Sequence, residues 1–508
     1  MKIKHLFLLL CLMSSVVGYA QGFETLPRMA MPRDCEVQEA ATRATGDYLW
    51  REFPTLGEVR AAVILVAFAD VPFSVDADSI NGLLSKRYNA DNYTEEVDIN
   101  EYSNAYAQQL SMKVTIPGSA RDYFRDQSFG LFVPTFDVIG PVTLDNNRAY
   151  YGANNSSGRD VNVPGMISDA CRKVYSQGLS DFTDYDNDGD GVVDIVYVVY
   201  AGCDEAQTDA GLIPTPDAVW AKASSISLTL ENGMKIKRYA CSGELLLDLP
   251  VVAGIGTFVH EFSHILGLPD FYNTLDGANT KLSMDVWSVM DYGMYNAQGF
   301  VPCAYTAFER YSLGWLPMTT LEAPATMSLG TTDEEGTGYR VFVAEDAVAH
   351  ADTASFYLME TIRREGWNSY AYAEGLLISQ VTYKASEWRN NTVNTEAAYR
   401  HYMVPANNHW SIVNGYKPGK HLYGTANHEF TLTSVPSSVT QAGAAMNKPL
   451  TDINYDAETG RTTFHFRGGD GMKAVAADKE RAVTYDLLGR PVQGTAEGVV
   501  IRNGRKYF

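Results

Sequence analysis

Gly256-Thr-Phe-Val-His260-Glu261-Phe-Ser-His264-Ile-Leu-Gly267-Leu-Pro-Asp270 is the stretch on which the reading of this 508-residue chain turns. Ile255, Phe258, Val259, Phe262, Ile265 and Leu266 recur at steps of three and four, which predicts a helix with one buried face. His260 and His264 lie one turn apart and project from the same side. That spacing lets two neutral imidazoles bind one Zn²⁺ at about 2.0–2.1 Å each. Glu261 stands beside them, placed to reach a water on the ion rather than the ion itself. Gly267 is a natural left-handed helix terminator, and Pro269 prevents resumption, so the chain must turn. Asp270 can then swing back as a third ligand. Three protein ligands leave a fourth position for water, the arrangement of catalytic rather than structural zinc. The HExxH spacing alone arises by chance in about one chain in a hundred of this length. Gly and Asp at fixed offsets cut that by roughly a few hundred-fold. A buried helix with two hydrogen-bonded histidines is the plain alternative.

Working outward, Ala61 to Phe68 and Asp194 to Tyr200 are apolar runs of strand length, expected as buried strands. Between them, Asn104 to Met112 and Met166 to Gln177 have helical spacing. After Leu316-Pro317 the texture changes to short alternating runs rich in Thr, Tyr and Val, such as Phe356 to Glu360, Leu376 to Tyr383 and Arg461 to Phe466. That pattern predicts a β-rich, sandwich-like domain. Lys2, Lys4, the apolar Leu6–Val17 and Gly18-Tyr-Ala20 read as an export signal cut after Ala20. The expected organisation is therefore a signal peptide (1–20), a pro-segment or strap (21–58), a catalytic domain (59–319), a β-rich domain (320–470) and a small tail (471–508).

Lys and Arg total 40 against 61 Asp and Glu, a formal charge of −21. Phosphate neutralisation needs basic surface, so nucleic acid is not an expected partner. No later window has the apolar run of a membrane-spanning helix. Five cysteines follow the leader, so an exported protein would have at least one free thiol or an intermolecular disulfide. Cys203 and Cys241 bracket one loop, which allows a disulfide; buried free thiols are the alternative.

A second cation motif is Asp184-Tyr-Asp186-Asn-Asp188-Gly-Asp190-Gly-Val192-Val-Asp194. Alternating carboxylates with Gly at the sixth position match the start of a Ca²⁺ loop. Asp186, Asp188, Asp190 and Asp194 would supply side-chain oxygens and Val192 its carbonyl. Tyr197 occupies position twelve, so the EF-hand is incomplete; a solvated acidic turn is the alternative.

The helix pattern, with Ser288-Val-Met290-Asp-Tyr292-Gly as a Met-containing turn, resembles the metzincin zinc peptidases with Asp as third ligand. Leu268-Pro-Asp-Phe-Tyr272, Phe129-Gly130, Tyr150-Tyr-Gly152, Phe308 to Leu316, Tyr357-Leu-Met-Glu360 and Gly375 to Ile378 narrow the resemblance to the M6, immune-inhibitor-A-like peptidases. The resemblance implies an α+β fold: a metzincin-like catalytic domain with a mixed sheet and active-site helix, followed by the β-sandwich-like domain. It implies a secreted zinc endopeptidase acting on protein or peptide substrates. His260, His264 and Asp270 would hold zinc, Glu261 would be the general base, Met290 the floor, and Tyr292 a metal or oxyanion contact or a structural tyrosine. Glu309 competes with Asp270 as third ligand in the gluzincin manner. A binding protein on an inactive scaffold is the alternative from another class. Cys35, Asp34 or Glu36 could cap the metal from the pro-segment. The tail, with Tyr485-Asp-Leu-Leu-Gly-Arg490 and Gly498 to Phe508, resembles the sorting tail of type IX-secreted proteins.

Overall fold

The computed structural model describes residues 53–98, 113–206, 215–247, 249, 251–275, 280–344, 354–412 and 415–468, plus the backbone of four short strands beyond 483. The expected signal peptide, most of the strap, the helical spacing at 104–112 and Cys35 lie outside the described residues. In the first half the elements are β1 (Gly57–Ala67), α1 (Ala77–Asn89), β2 (Glu95–Asp98), β3 (Lys113–Ile116), α2 (Ala120–Gln127), β4 (Phe132–Thr143), α3 (Arg148–Gly152), α4 (Val163–Ser176), β5 (Val192–Val193), β6 (Val196–Cys203), β7 (Lys222–Thr229), β8 (Lys235–Leu245) and α5 (Gly256–Ile265). Then follow α6 (Ala307–Ser312), β9 (Met318–Thr320), β10 (Ala325–Leu329), α7 (Thr332–Glu335), β11 (Gly338–Phe342), β12 (Ser355–Ile362), β13 (Gly375–Thr382), α8 (Ala385–Arg389), β14 (His401–Met403), β15 (Leu450–Asp456) and β16 (Arg461–Phe466).

The first half is built on a mixed sheet of order β4-β1-β6-β8-β5, all parallel, with β7 antiparallel on β8. From Ala61 to Ala67 β1 is apolar because both its faces are covered there. Ala61, Val63 and Leu65 join one core with α1, α2 and α5, while Ala62, Ile64 and Val66 join a second core with α4. The period-two alternation of a strand thus feeds two layers. β6 repeats it, with Tyr197 and Val199 on the first face and Val198 and Tyr200 on the second.

β9 and β11–β14 form a five-stranded sheet of order β14-β13-β12-β11-β9; β10, β16 and β15 form a three-stranded one. Along β12, Phe356 and Leu358 point into the same core as the active-site helix, while Tyr357 and Met359 share a separate core with Met327, Leu450 and Phe464 of the smaller sheet. The change of texture after residue 317 therefore marks a change of secondary structure and not a break in the core. The strap's described end is anchored: Phe53 packs edge-on to Phe262 at 5.6 Å, and Trp315 Nε1–H donates 2.7 Å to the Thr55 carbonyl.

Of the two readings left open for Cys203 and Cys241, the structure carries the second: both thiols are buried and outside any disulfide, as are those of Cys171 and Cys303. Strand register decides this. Cys241 of β8 lies opposite Val198, whereas Cys203 lies opposite Leu245. In the tail, β17 (Thr484–Tyr485), β18 (Pro491–Val492), β19 (Val500–Arg502) and β20 (Arg505–Tyr507) form a four-stranded sheet.

Candidate active site

The helix α5 is held by its apolar face. Phe258 stacks on Tyr88 at 4.3 Å and meets Tyr197 at 4.4 Å; Phe262 meets Phe124 and Phe136, each at 5.2 Å. Burying each phenyl is worth about 1.5–3 kcal/mol. Gly256 opens the helix where a Cβ would stand 2.0 Å from the Met294 carbonyl oxygen, so only glycine admits this approach of the 292–299 segment. The helix ends in a Schellman motif: Leu268 N–H donates to the Ser263 carbonyl, Gly267 N–H donates to the His264 carbonyl, and Gly267 has φ +102°. The turn sends Asp270 back towards the histidines.

His260 Nδ1–H donates 2.8 Å to the Val289 carbonyl, and His264 Nδ1–H donates 2.7 Å to the Leu268 carbonyl. A carbonyl only accepts, so each neutral ring carries its proton on Nδ1 and presents a bare Nε2. Those two Nε2 atoms are 3.2 Å apart, and Asp270 Oδ1 lies 3.4 Å from that of His260 and 3.2 Å from that of His264. Ligand atoms about 2.0–2.1 Å from a tetrahedral ion stand about 3.3–3.4 Å from one another. The three atoms therefore form one face of a zinc-sized tetrahedron. Three proton-free lone pairs converge in a buried site, and Asp270 Oδ1 has no hydrogen-bond donor among the described residues. A divalent cation satisfies that arrangement. Burial pushes His260 below its ordinary pKa, which favours the neutral ligand form. Burial alone would raise Asp270; protonated imidazoles at His264 and His260 would hold it below the usual carboxylate range.

Glu261 is fully buried, and neither carboxylate oxygen has a hydrogen-bond partner among the described residues. Burial raises its pKa to about 8, opposed by His264 and reinforced by Asp270 and Asp204. A cation on the neighbouring ligands would favour the ionised form and bring that value down.

The Met-containing turn is tied to the site by its backbone: Met290 is buried, its carbonyl accepts 2.9 Å from Phe271 N–H, and the preceding Val289 carbonyl orients His260. Tyr292 is half-buried against the core, its ring 6.4 Å from that of Tyr295. Tyr295 escaped the sequence reading. Burial raises its hydroxyl well above the ordinary value, and Asp204, Tyr292 and Glu261 add to the rise.

Glu309 does not join the ligand atoms. It is the N3 residue of a capping box at α6, receiving Thr306 N–H and Oγ1–H, and its other oxygen accepts 2.6 Å from Ser288 Oγ. The Thr306-x-x-Glu309 pattern was the available signal for that role. Asn391 was missed altogether, and nothing local in the sequence marks it: its side chain bonds Asp270 from 121 residues downstream.

In the acidic loop, carboxylate oxygens of Asp186, Asp188 and Asp190 lie within 4.8 Å of one another. Asp186 also accepts from the N–H groups of Gly189, Asp190 and Gly191. Val192 opens β5 and donates its N–H to Asp190. Asp194 is not grouped with the three; its Oδ2 accepts from Asn187 N–H and Nδ2–H. Asn187 is tied in turn to the backbone of Arg60 in β1.

The model of the immune inhibitor A peptidase M6 catalytic domain matches residues 55–316. Immune inhibitor A of Bacillus thuringiensis subsp. alesti is 24% identical over 277 residues, covering 49% of this chain and 39% of that protein. The pre-pro-metalloprotease PrtV of Vibrio cholerae serotype O1 (strain M66-2) is 24% identical over 217 residues, covering 38% of this chain and 23% of its own length. The match thus spans well under half of either relative.

Proposed function

We propose that this chain, which belongs to the immune inhibitor A (M6) peptidase family, is an exported zinc endopeptidase. The observation that supports this most is the convergence of two bare imidazole nitrogens and one carboxylate oxygen at zinc-ligand spacing, with a buried carboxylate alongside. We read the fold as metzincin-like, with the two later sheets as a sandwich-like domain. His260, His264 and Asp270 would hold the ion. Bound zinc supplies polarisation of the scissile carbonyl and lowers the pKa of a water to about 7.

The chain's own groups do the rest. Glu261 accepts a proton from the attacking water and holds it on a carboxylate buried from bulk solvent. It then delivers that proton to the departing amine nitrogen as the peptide C–N bond breaks. Val289 and Leu268 keep both imidazoles in the ligating tautomer. We assign Tyr292, or its neighbour Tyr295, the role of steadying charge on the substrate oxygen. The test is casein cleavage by the purified chain. Activity is expected to vanish on dialysis against a chelator and to return with zinc; cleavage indifferent to chelation would remove the metal from the reaction.

Ca²⁺ is the proposed ion of the loop Asp186, Asp188 and Asp190, with the Val192 carbonyl and the free oxygen of Asp194 completing the set. Clustered carboxylates repel until a cation joins them. Binding would brace the strand pair β1 and β6 through Asn187 and Arg60. Ca²⁺ at 100 times its Kd is expected to stabilise the fold by about 2.7 kcal/mol. Thermal unfolding of Asp188→Ala with and without Ca²⁺ checks this: a calcium-dependent Tm retained in the variant would reject the site. Export through the signal peptide, delivery by type IX machinery through the tail, and protein substrates outside the cell complete the proposal.

A further inference from the structure

Asp270 is the least constrained of the three ligand residues, since it follows a turn and belongs to no helix. Its carboxylate is nevertheless held in one orientation. Asp270 N–H donates 2.6 Å to Asn391 Oδ1, and Asn391 Nδ2–H donates 2.6 Å to Asp270 Oδ2. One carboxamide thus grips both the backbone and the side chain of the same residue. That leaves Asp270 Oδ1 directed at the two imidazoles.

The chemistry suits an amide, whose separate acceptor and donor atoms reach both partners. The group must accept from an N–H and donate to a carboxylate at once, without bringing a charge of its own. The same two partners fix which end is oxygen and which nitrogen, because the reversed amide would face donor to donor and acceptor to acceptor. Asn391 is 5% exposed and has φ +55°, a left-handed conformation that asparagine tolerates. It lies just beyond α8, among residues that grip the 270–274 turn elsewhere too. The Asn391 carbonyl accepts 3.0 Å from Thr274 Oγ1, Asn394 Nδ2–H donates 2.6 Å to the Phe271 carbonyl, and His401 meets the Phe271 ring edge-on at 4.4 Å.

We propose that Asn391 is the positioning residue of the third metal ligand, so that the β-rich part of the chain completes the metal site of the catalytic part. The M6 catalytic-domain match ends at 316, well before Asn391. The inference rests on the His260, His264 and Asp270 reading. Outer partners of metal ligands set affinity by about 10–100-fold.

The experiment uses the full chain and four proteins: wild type, Asn391→Gly, Asn391→Asp and His264→Ala. Zinc affinity is measured by competition with a chromophoric chelator, and coordination geometry by the visible spectrum of the Co²⁺ form. Asn391→Gly keeps the left-handed backbone and removes both side-chain bonds. Asn391→Asp keeps shape and acceptor but sets a carboxylate against that of Asp270. Each is expected to weaken zinc binding by about 10–100-fold and to alter the Co²⁺ bands; if the glycine variant does not fold, the isosteric aspartate variant decides. Wild-type affinity and spectrum in the folded Asn391 variants, with zinc lost in His264→Ala, would overturn the positioning role alone. Wild-type zinc binding by His264→Ala would overturn the ligand reading beneath it.

Discussion

Glu261→Gln is expected to leave the chain folded and able to hold zinc while lowering peptide hydrolysis by about 10²–10⁴-fold. Glutamine keeps the shape of the side chain and removes its capacity to take a proton. Neither oxygen of Glu261 has a hydrogen-bond partner among the described residues, so the exchange breaks no bond that supports the fold. It also removes a buried group whose ionisation burial opposes. The loss should fall on kcat, with zinc content per chain unchanged. Normal turnover by a zinc-loaded Glu261→Gln protein would remove the residue from the mechanism.

His264→Ala is expected to do the reverse and lose the metal itself. Two donor atoms would remain where three converged. Zinc affinity should fall by well over the roughly 10–100-fold that loss of an outer partner costs. Activity should fall with it. Metal analysis after gel filtration checks this: one zinc per chain in the variant would contradict it.

Local chemistry made the helix legible from sequence. Its period, its glycine terminator and the proline after it all lie within fifteen consecutive residues, and the Schellman turn realises them. β1, β6 and α4 were legible because burial on one or two faces writes a short-range pattern. Other features depend on partners far along the chain. Asn391 lies in a Trp-Arg-Asn-Asn run that reads as ordinary loop, and its meaning comes only from the fold that sets it beside Asp270. Cys203 and Cys241 looked pairable by spacing, but strand register decides which residues face each other. The sequence reading gives Glu309 only as a distant ligand; its capping-box role could have been seen from the Thr three residues before it. The β12 strand could not be read as a link between two cores, because only the fold shows that its alternate residues belong to one on each side.

Anomalous diffraction from crystals of the full chain, recorded on both sides of the zinc edge, tests the central claim most directly. The account predicts a peak about 2.0–2.1 Å from His260 Nε2, His264 Nε2 and Asp270 Oδ1 together. Zinc found elsewhere, or no anomalous signal between those three atoms in zinc-loaded crystals, would contradict it.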